Sequence, residues 1–246
     1  MTLARGAADG PPPVVRVGHA SVVGGRDRNE DSWCAADGSY LVADGMGGHE
    51  AGEVASATAI EALTGLGAGR PTIADVRHAL RAAHARVRAL PATGPRRPGT
   101  TVSGVVLSAH AGVWCWLVLN VGDSRTYRMA GGMLEQLTTD HSRVAELVAA
   151  GFVDPADAVH HPERHVLTRV LGGGSAAVEP DVFWLPVSRG DRLLVCSDGL
   201  YDALPDVQVQ GVLRAHPGAQ VAADALVAAA LAVGARDNVT VVVVDS

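Results

Sequence analysis

The chain has 246 residues, 48% of them apolar and 19% charged, so it has enough apolar material for a sizeable core and too much for a disordered chain. Its net charge is −6, all 20 basic residues are Arg, and no long basic run occurs, which argues against nucleic acid as the main partner. Cys34, Cys115 and Cys196 lack metal-ligand spacing and fit free thiols in a reducing cytosol.

Residues 1–13 contain Pro11-Pro12-Pro13 and no apolar run of the kind a signal peptide needs, and are expected to be a flexible lead-in. Strands are predicted at 14–23, 32–36 and 39–43. After Gly47-Gly48 the pattern becomes helical: Ala59, Ile60, Leu63 and Leu66 mark one face. Beyond a Gly/Pro break at 67–71, Ile73, Val76, Leu80, Ala83, Val87 and Leu90 recur at steps of three and four, which predicts a second helix. Pro91 to Pro98 is a breaker-rich loop. Strands at 100–108, 113–121 and 125–129 follow, then a helix over 140–150 with Asp140 or Ser142 as its cap. The stretch 152–175 reads as loop. Strands at 181–187 and 191–197, helices at 205–215 and 219–233 and a strand at 239–244 complete the order. The Ala-rich run Ala219–Val233 is short for a membrane span and carries Asp224, so a packed helix is expected and no membrane partner.

This order does not alternate strand and helix, so a parallel doubly wound sheet does not explain it. The expected class is α+β: two packed antiparallel sheets, a β-sandwich, with helices on both outer faces. One domain over 14–246 is expected, with no appended module.

Four acids stand at the edges of apolar runs beside Gly, Ser or Asn: Asp44 before Gly45, Asp123 before Ser124, Asp198 between Ser197 and Gly199, and Asp237 before Asn238. Acids at strand ends form turns or stay solvated. They are also the ligands that Mg²⁺ and Mn²⁺ select. Asp198 follows a strand and Asp237 precedes one, so antiparallel neighbours would carry both to one sheet edge. Gly45 would let the backbone approach an ion closely. No His or Cys spacing supports zinc. On spacing alone, metal ligands and turn-forming acids fit equally well.

The chain resembles the metal-dependent serine/threonine protein phosphatases of type 2C, the PPM family, and its bacterial branch in particular. The likeness rests on eight blocks in order: Gly25-Arg26-Asp27-Arg28-Asn29-Glu30-Asp31, Asp44-Gly45-Met46-Gly47-Gly48-His49, Gly99-Thr100-Thr101, Val121-Gly122-Asp123-Ser124-Arg125, Leu137 to Ser142, Leu167 to Gly172, Ser197-Asp198-Gly199-Leu200 and Asp237-Asn238. It spans roughly 14–245 and implies the same two-sheet fold.

The resemblance also implies roles. Asp44 would bridge two Mn²⁺ or Mg²⁺ ions with the Gly45 carbonyl as a further ligand, and Asp198 and Asp237 would complete the protein side. Glu30 and Asp31 would hold metal-bound waters, and Asp123 would help bind a third, weaker ion. Arg26 would grip the phosphate, its fork matching two oxygens. The implied reaction is hydrolysis of phosphoserine or phosphothreonine by a metal-bridging hydroxide, in a cytoplasmic enzyme that reverses serine/threonine kinase signalling. Its implied partners are phosphorylated proteins and the cognate kinase pathway. A catalytically weak phosphoprotein-binding regulator and a phosphatase of small phosphate esters are the alternatives.

Met46 departs from the His that many eukaryotic relatives carry, which leaves the general acid unassigned; His49 reads as a solvated or loop-capping residue. Arg28 is expected to be a surface charge or ion-pair partner, and Arg169 a structural hydrogen-bonder. His160, His161 and His165 sit where relatives have a mobile flap beside the site, and are expected to be solvated rather than zinc ligands. Substrate choice would fall to that flap. Trp114 and Trp116 should share one strand face, and Cys196 should be buried and inert.

Overall fold

The structure, a computed structural model, describes residues 10–47, 50–92 and 94–246. His49, and residues 1–9 of the expected lead-in, lie outside them; residues 10–13 have no regular secondary structure. The strands are β1 (Arg16–Val22), β2 (Asp31–Ala36), β3 (Ser39–Met46), β4 (Gly99–Thr100), β5 (Val102–His110), β6 (Val113–Val121), β7 (Arg125–Ala130), β8 (Met133–Gln136), β9 (Leu171–Gly172), β10 (Asp181–Pro186), β11 (Arg192–Cys196) and β12 (Val239–Asp245). The helices are α1 (Glu50–Leu63), α2 (Ile73–Arg88), α3 (Arg143–Ala149), α4 (Asp198–Ala203), α5 (Asp206–Ala215) and α6 (Ala219–Ala232).

One sheet runs β1-β12-β11-β7-β8; the other runs β10-β6-β5-β3-β4-β9, with β2 also paired to β3. Every strand pairing is antiparallel. Three hairpins close with two-residue turns, Asp37-Gly38, Ala111-Gly112 and Gly131-Gly132, in which both residues have positive φ. That is the turn whose twist matches paired strands. The third turn generates β8, a half-exposed edge strand of four residues that the sequence reading did not contain, because so short a run gives no periodic signal. Strands β4 and β9, of two residues each, escape for the same reason. Helix α4 was also not foreseen: its six residues are too few to show a helical repeat.

The apolar side chains sort into three buried layers. Alternation along β12 shows how: Val241 and Val243 face α4, α5 and α6, packing with Leu200, Leu213 and Leu226, while Val242 and Val244 face the other sheet with Val42, Val105 and Trp116. On the far side Leu41, Val106 and Leu117 pack against Leu63, Val76 and Leu80 of α1 and α2. A strand buried on both faces reads as a continuous apolar run, which is why β12 was legible without alternation. Each such buried side chain contributes about 1.5–3 kcal/mol.

Helix α6 lies against this core through Ala222, Ala223, Leu226, Val227 and Ala230. Among the described residues no helix is long and apolar enough to cross a membrane. All three cysteines are buried free thiols. Trp116 is buried between the sheets; Trp114 is half-buried under the Arg70 guanidinium, 4.5 Å from its ring centroid. Ser142, not Asp140, caps α3, accepting a 3.3 Å bond from the Ala145 amide.

Candidate metal centre

The ends of five strands meet at one end of the sandwich. Asp44 lies two residues before the end of β3 and faces Asp31, the first residue of β2, across the ladder. Cys196 of β11 pairs with Val241 of β12, and the Ser197 amide donates to the Thr240 carbonyl at 3.0 Å. Asp198 and Asp237 therefore flank the same end of that pair, as antiparallel geometry required. Asp123 follows β6. Asp44, Asp123, Asp198 and Asp237 line one cleft of about 1550 Å³ with Arg26, Glu30, Gly45 and Met46.

Neutral groups hold the acids in place. The Asp44 amide donates to the Thr101 hydroxyl at 2.9 Å, and the Asp44 carbonyl accepts from the Thr101 amide at 2.9 Å and the Thr100 hydroxyl at 2.8 Å. Thr101 is braced in turn by Ser124, hydroxyl to hydroxyl, at 2.7 Å. Ser197 makes no cap bond to α4; its hydroxyl donates to Asp31 Oδ2 at 2.7 Å and accepts from the Thr240 amide at 3.0 Å. Asn238 pins the segment that carries Arg26 and Glu30. Its Nδ2 donates to the carbonyls of Val23 and Arg28 at 2.8 Å each, and its Oδ1 accepts from the Glu30 amide at 2.8 Å. Glycine is required where backbones cross: a Cβ on Gly45 would lie 2.2 Å from the Gly52 carbonyl oxygen, and one on Gly199 would lie 2.0 Å from that of Asn238.

The floor carries negative charge without matching positive charge. Asp31 Oδ1 and Asp198 Oδ1 are buried with no hydrogen-bond partner. Burial, then the neighbouring carboxylates Asp198, Asp31, Asp123 and Asp237, hold the Asp44 carboxyl well above its usual range. Burial followed by Asp123 and Asp237 does the same to Asp198. Asp123 is pushed up to about 7 by burial and Asp140, and Asp31 to about 6 by burial. Arg26 answers only part of this charge: its Nη2 donates to Asp237 Oδ2 at 2.6 Å, which raises its own pKa. Orphaned carboxylate oxygens in an all-oxygen donor set fit a hard divalent cation.

Each predicted residue has a definite place. Arg26, Glu30, Asp44, Gly45, Asp123, Asp198 and Asp237 share the cleft lining, and Asp31 lies directly behind it on Ser197. Arg28 pairs with Glu53 at 3.8 Å on the surface. Arg169 donates to Asp181 at 3.0 Å and to the Glu179 carbonyl at 3.3 Å, a structural role. Of the three flap histidines only His165 lines the cleft. It is exposed, but it does not stand apart from the acids: His165, Asp198 and Asp202 bring ligand atoms within 4.8 Å of one another. Asp202, Thr101, Ser197 and Asn238 were assigned no part from sequence. The only available signal was that Thr101, Ser197 and Asn238 sit inside the quoted blocks.

A family model described as Protein phosphatase 2C matches residues 24–229, a stretch that runs from the Arg26 segment through the Asp198 strand end. The chain belongs to that family. Similarity to individual members agrees with this assignment. The chain is 35% identical to the serine/threonine phosphatase stp of Listeria welshimeri over 83% of both proteins. It is 39% identical to the serine/threonine protein phosphatase PstP of Mycobacterium tuberculosis over 89% of this chain and 42% of PstP. Among solved structures, the PPM Ser-Thr phosphatase MsPP from Mycobacterium smegmatis, in complex with cacodylate, superposes with a TM-score of 0.83 at 40% identity, covering 93% of this chain and 97% of MsPP. The PstP catalytic domain in complex with two manganese ions superposes with a TM-score of 0.81 at 36% identity, covering 94% and 97%. This phosphatase 2C chain thus shares the two-sheet fold of its relatives, with the carboxylate cluster at one end of the sandwich.

Proposed function

We propose that the chain is a Mn²⁺- or Mg²⁺-dependent serine/threonine protein phosphatase, with residues 14–246 as its catalytic domain. The observation that carries this reading is the set of buried carboxylates left without countercharge beneath an arginine, Arg26, at the cleft surface. Relatives named as serine/threonine phosphatases, one of them with two manganese ions, support it.

Asp44, Asp198 and Asp237, with the Gly45 carbonyl, would hold two ions; Asp123 would serve a third; Glu30 and Asp31 would orient their waters. When bound, such ions supply Lewis-acid polarisation of the phosphoryl group and lower the pKa of a water nucleophile. Arg26 sits within reach of Asp237, so its guanidinium can turn from that carboxylate to the oxygens of an incoming phosphate and orient it for in-line attack. Met46, at the end of β3, offers an apolar wall and no proton. The substrates are phosphoproteins, opposed to a serine/threonine kinase pathway in the cytoplasm, where three buried thiols remain reduced.

The test is phosphate release from para-nitrophenyl phosphate and from phosphothreonine peptides, with Mn²⁺ or with a chelator. Turnover that requires the ion is expected. A wild-type protein inactive on both substrates in the presence of Mn²⁺ would overturn the reading.

A further inference from the structure

The rim of the cleft has the opposite sign to its floor. The chain is acidic, at −6, yet six of its 20 arginines line this one cavity. Three of them have partners: Arg26 on Asp237, Arg28 on Glu53 and Arg164 on Asp202. The other three, Arg96, Arg97 and Arg236, are exposed, and no hydrogen bond or ion pair holds them among the described residues. The exposed acids of the lining are Asp27 and Asp202, and Asp202 is already engaged by Arg164 and His165. The floor acids are the share of the metal ions. The rim cations are left facing solvent.

These arginines stand on two lips that rigid contacts fix beside the centre. On one side, Arg97 and Pro98 lie between β3 and β9. A Cβ on Gly47 would come within 3.2 Å of Pro98 Cα and 3.3 Å of the Arg97 carbonyl, and the Gly173 amide donates to the Pro98 carbonyl at 2.8 Å. The Arg97 stem runs past Gly174, its Cδ 3.7 Å from where a Cβ would be. On the other side, the Arg236 backbone packs on Gly25, where a Cβ would meet its carbonyl at 2.8 Å, and it immediately precedes Asp237. A cavity of about 1550 Å³ exceeds what one phosphorylated side chain fills, since drug-sized ligands occupy about 300–1,000 Å³. Several residues of a substrate segment fit between the lips.

Resting on the phosphatase reading above, we propose that Arg96, Arg97 and Arg236 form an anion-binding collar that selects phosphoresidues flanked by Asp and Glu. Carboxylates on either side of the phosphoresidue would meet the unpaired guanidinium groups, and a lysine-flanked segment would be repelled.

The experiment compares phosphothreonine peptides of one length flanked by Glu, by Lys, or by a second phosphothreonine, with the Mn²⁺-loaded enzyme. The Glu-flanked peptide is expected to exceed the Lys-flanked one in kcat/KM by about tenfold at low salt. High salt should collapse that ratio. The double variant Arg96→Glu, Arg97→Glu should reverse it. Equal kcat/KM for the two flanks, a ratio unmoved by the double variant, or acceleration by the second phosphate alone would each overturn the collar. A labelled Glu-flanked peptide carrying a non-hydrolysable phosphonate supplies a readout without turnover: fluorescence anisotropy should show several-fold weaker binding to the double variant, and equal binding overturns the proposal. If no peptide and no para-nitrophenyl phosphate is hydrolysed, the phosphatase reading fails instead, and the anisotropy measurement still decides the collar.

Discussion

The β11–β12 strand pair has carboxylates at both extremities, and the two ends treat them in opposite ways. At the far end, Asp245 is gripped by Arg192 through Nε at 2.6 Å and Nη2 at 2.8 Å. The remaining Arg192 donors go to the carbonyls of Leu213, His216 and Pro217 at 2.6–2.8 Å. That buried cation leaves no donor idle. At the cleft end, Asp198 keeps an unpartnered oxygen, and Asp237 has the exposed Arg26 as its cation beside one 2.8 Å bond from the Asn238 amide. Charge that serves the fold is balanced within the chain, whereas charge at the cleft is left for something outside it.

The sharpest way to break this contrast is to remove a cleft carboxylate. Asp44→Ala or Asp198→Asn should cost at least ~10³-fold in Mn²⁺-dependent turnover of para-nitrophenyl phosphate. In chelator, the same variants should melt no lower than the wild type, because each removes a carboxyl that is costly to bury among other acids; a lower melting temperature would show that the acid is structural after all.

Arg192→Ala should do the reverse. Stranding Asp245 and three carbonyls is expected to cost about 3 kcal/mol of stability in urea unfolding, with kcat changed little. A stable but inactive variant would contradict it.

The pH dependence follows from the sign of the shifts. Asp31 is pushed up to about 6 and Asp123 to about 7, chiefly by burial, and burial holds Asp44 and Asp198 well above the usual carboxylate range too. The folded state therefore holds protons that the unfolded chain has lost. Without metal, stability should fall as pH rises from about 4 to 7, by roughly 1.4 kcal/mol per pH unit for each extra proton bound. Mn²⁺ favours the ionised carboxylates, so it should flatten or invert that slope. Denaturant midpoints at pH 5 and pH 7, with chelator and with Mn²⁺, read this out; identical slopes would remove the metal from the cluster.

The smallest effect belongs to Asp123. The Asp123 carbonyl accepts from the Tyr201 hydroxyl at 3.0 Å, and its side chain is the one assigned to a third, weaker ion. Asp123→Asn should lower turnover by about tenfold, mainly as a demand for more Mn²⁺, visible as a shifted metal titration. A loss as large as that of Asp44→Ala would place Asp123 among the core ligands.

Much of this was legible from single segments. Short apolar runs gave β11 and β12, and their antiparallel pairing gave a reason for Asp198 and Asp237 to meet. The blocks around Asp44 and Arg26 pointed to the family. Strand β8 and helix α4 were not legible, because four or six residues carry no measurable period. His165 is exposed, as expected of a solvated flap residue, and only the folded chain shows Asp202 3.8 Å from it.

By itself the sequence determined which residue types could bind a hard cation, and where the chain turns, since ligand chemistry and backbone preference are local properties. Tertiary structure alone decided which groups satisfy one another. Asn238 binds residues 23, 28 and 30, more than 200 positions away, and Ser197 leaves its helix cap for Asp31. Only the packed sheets show that Asp245 has an arginine and Asp198 has none, because that depends on which strand ends share the same low-dielectric volume.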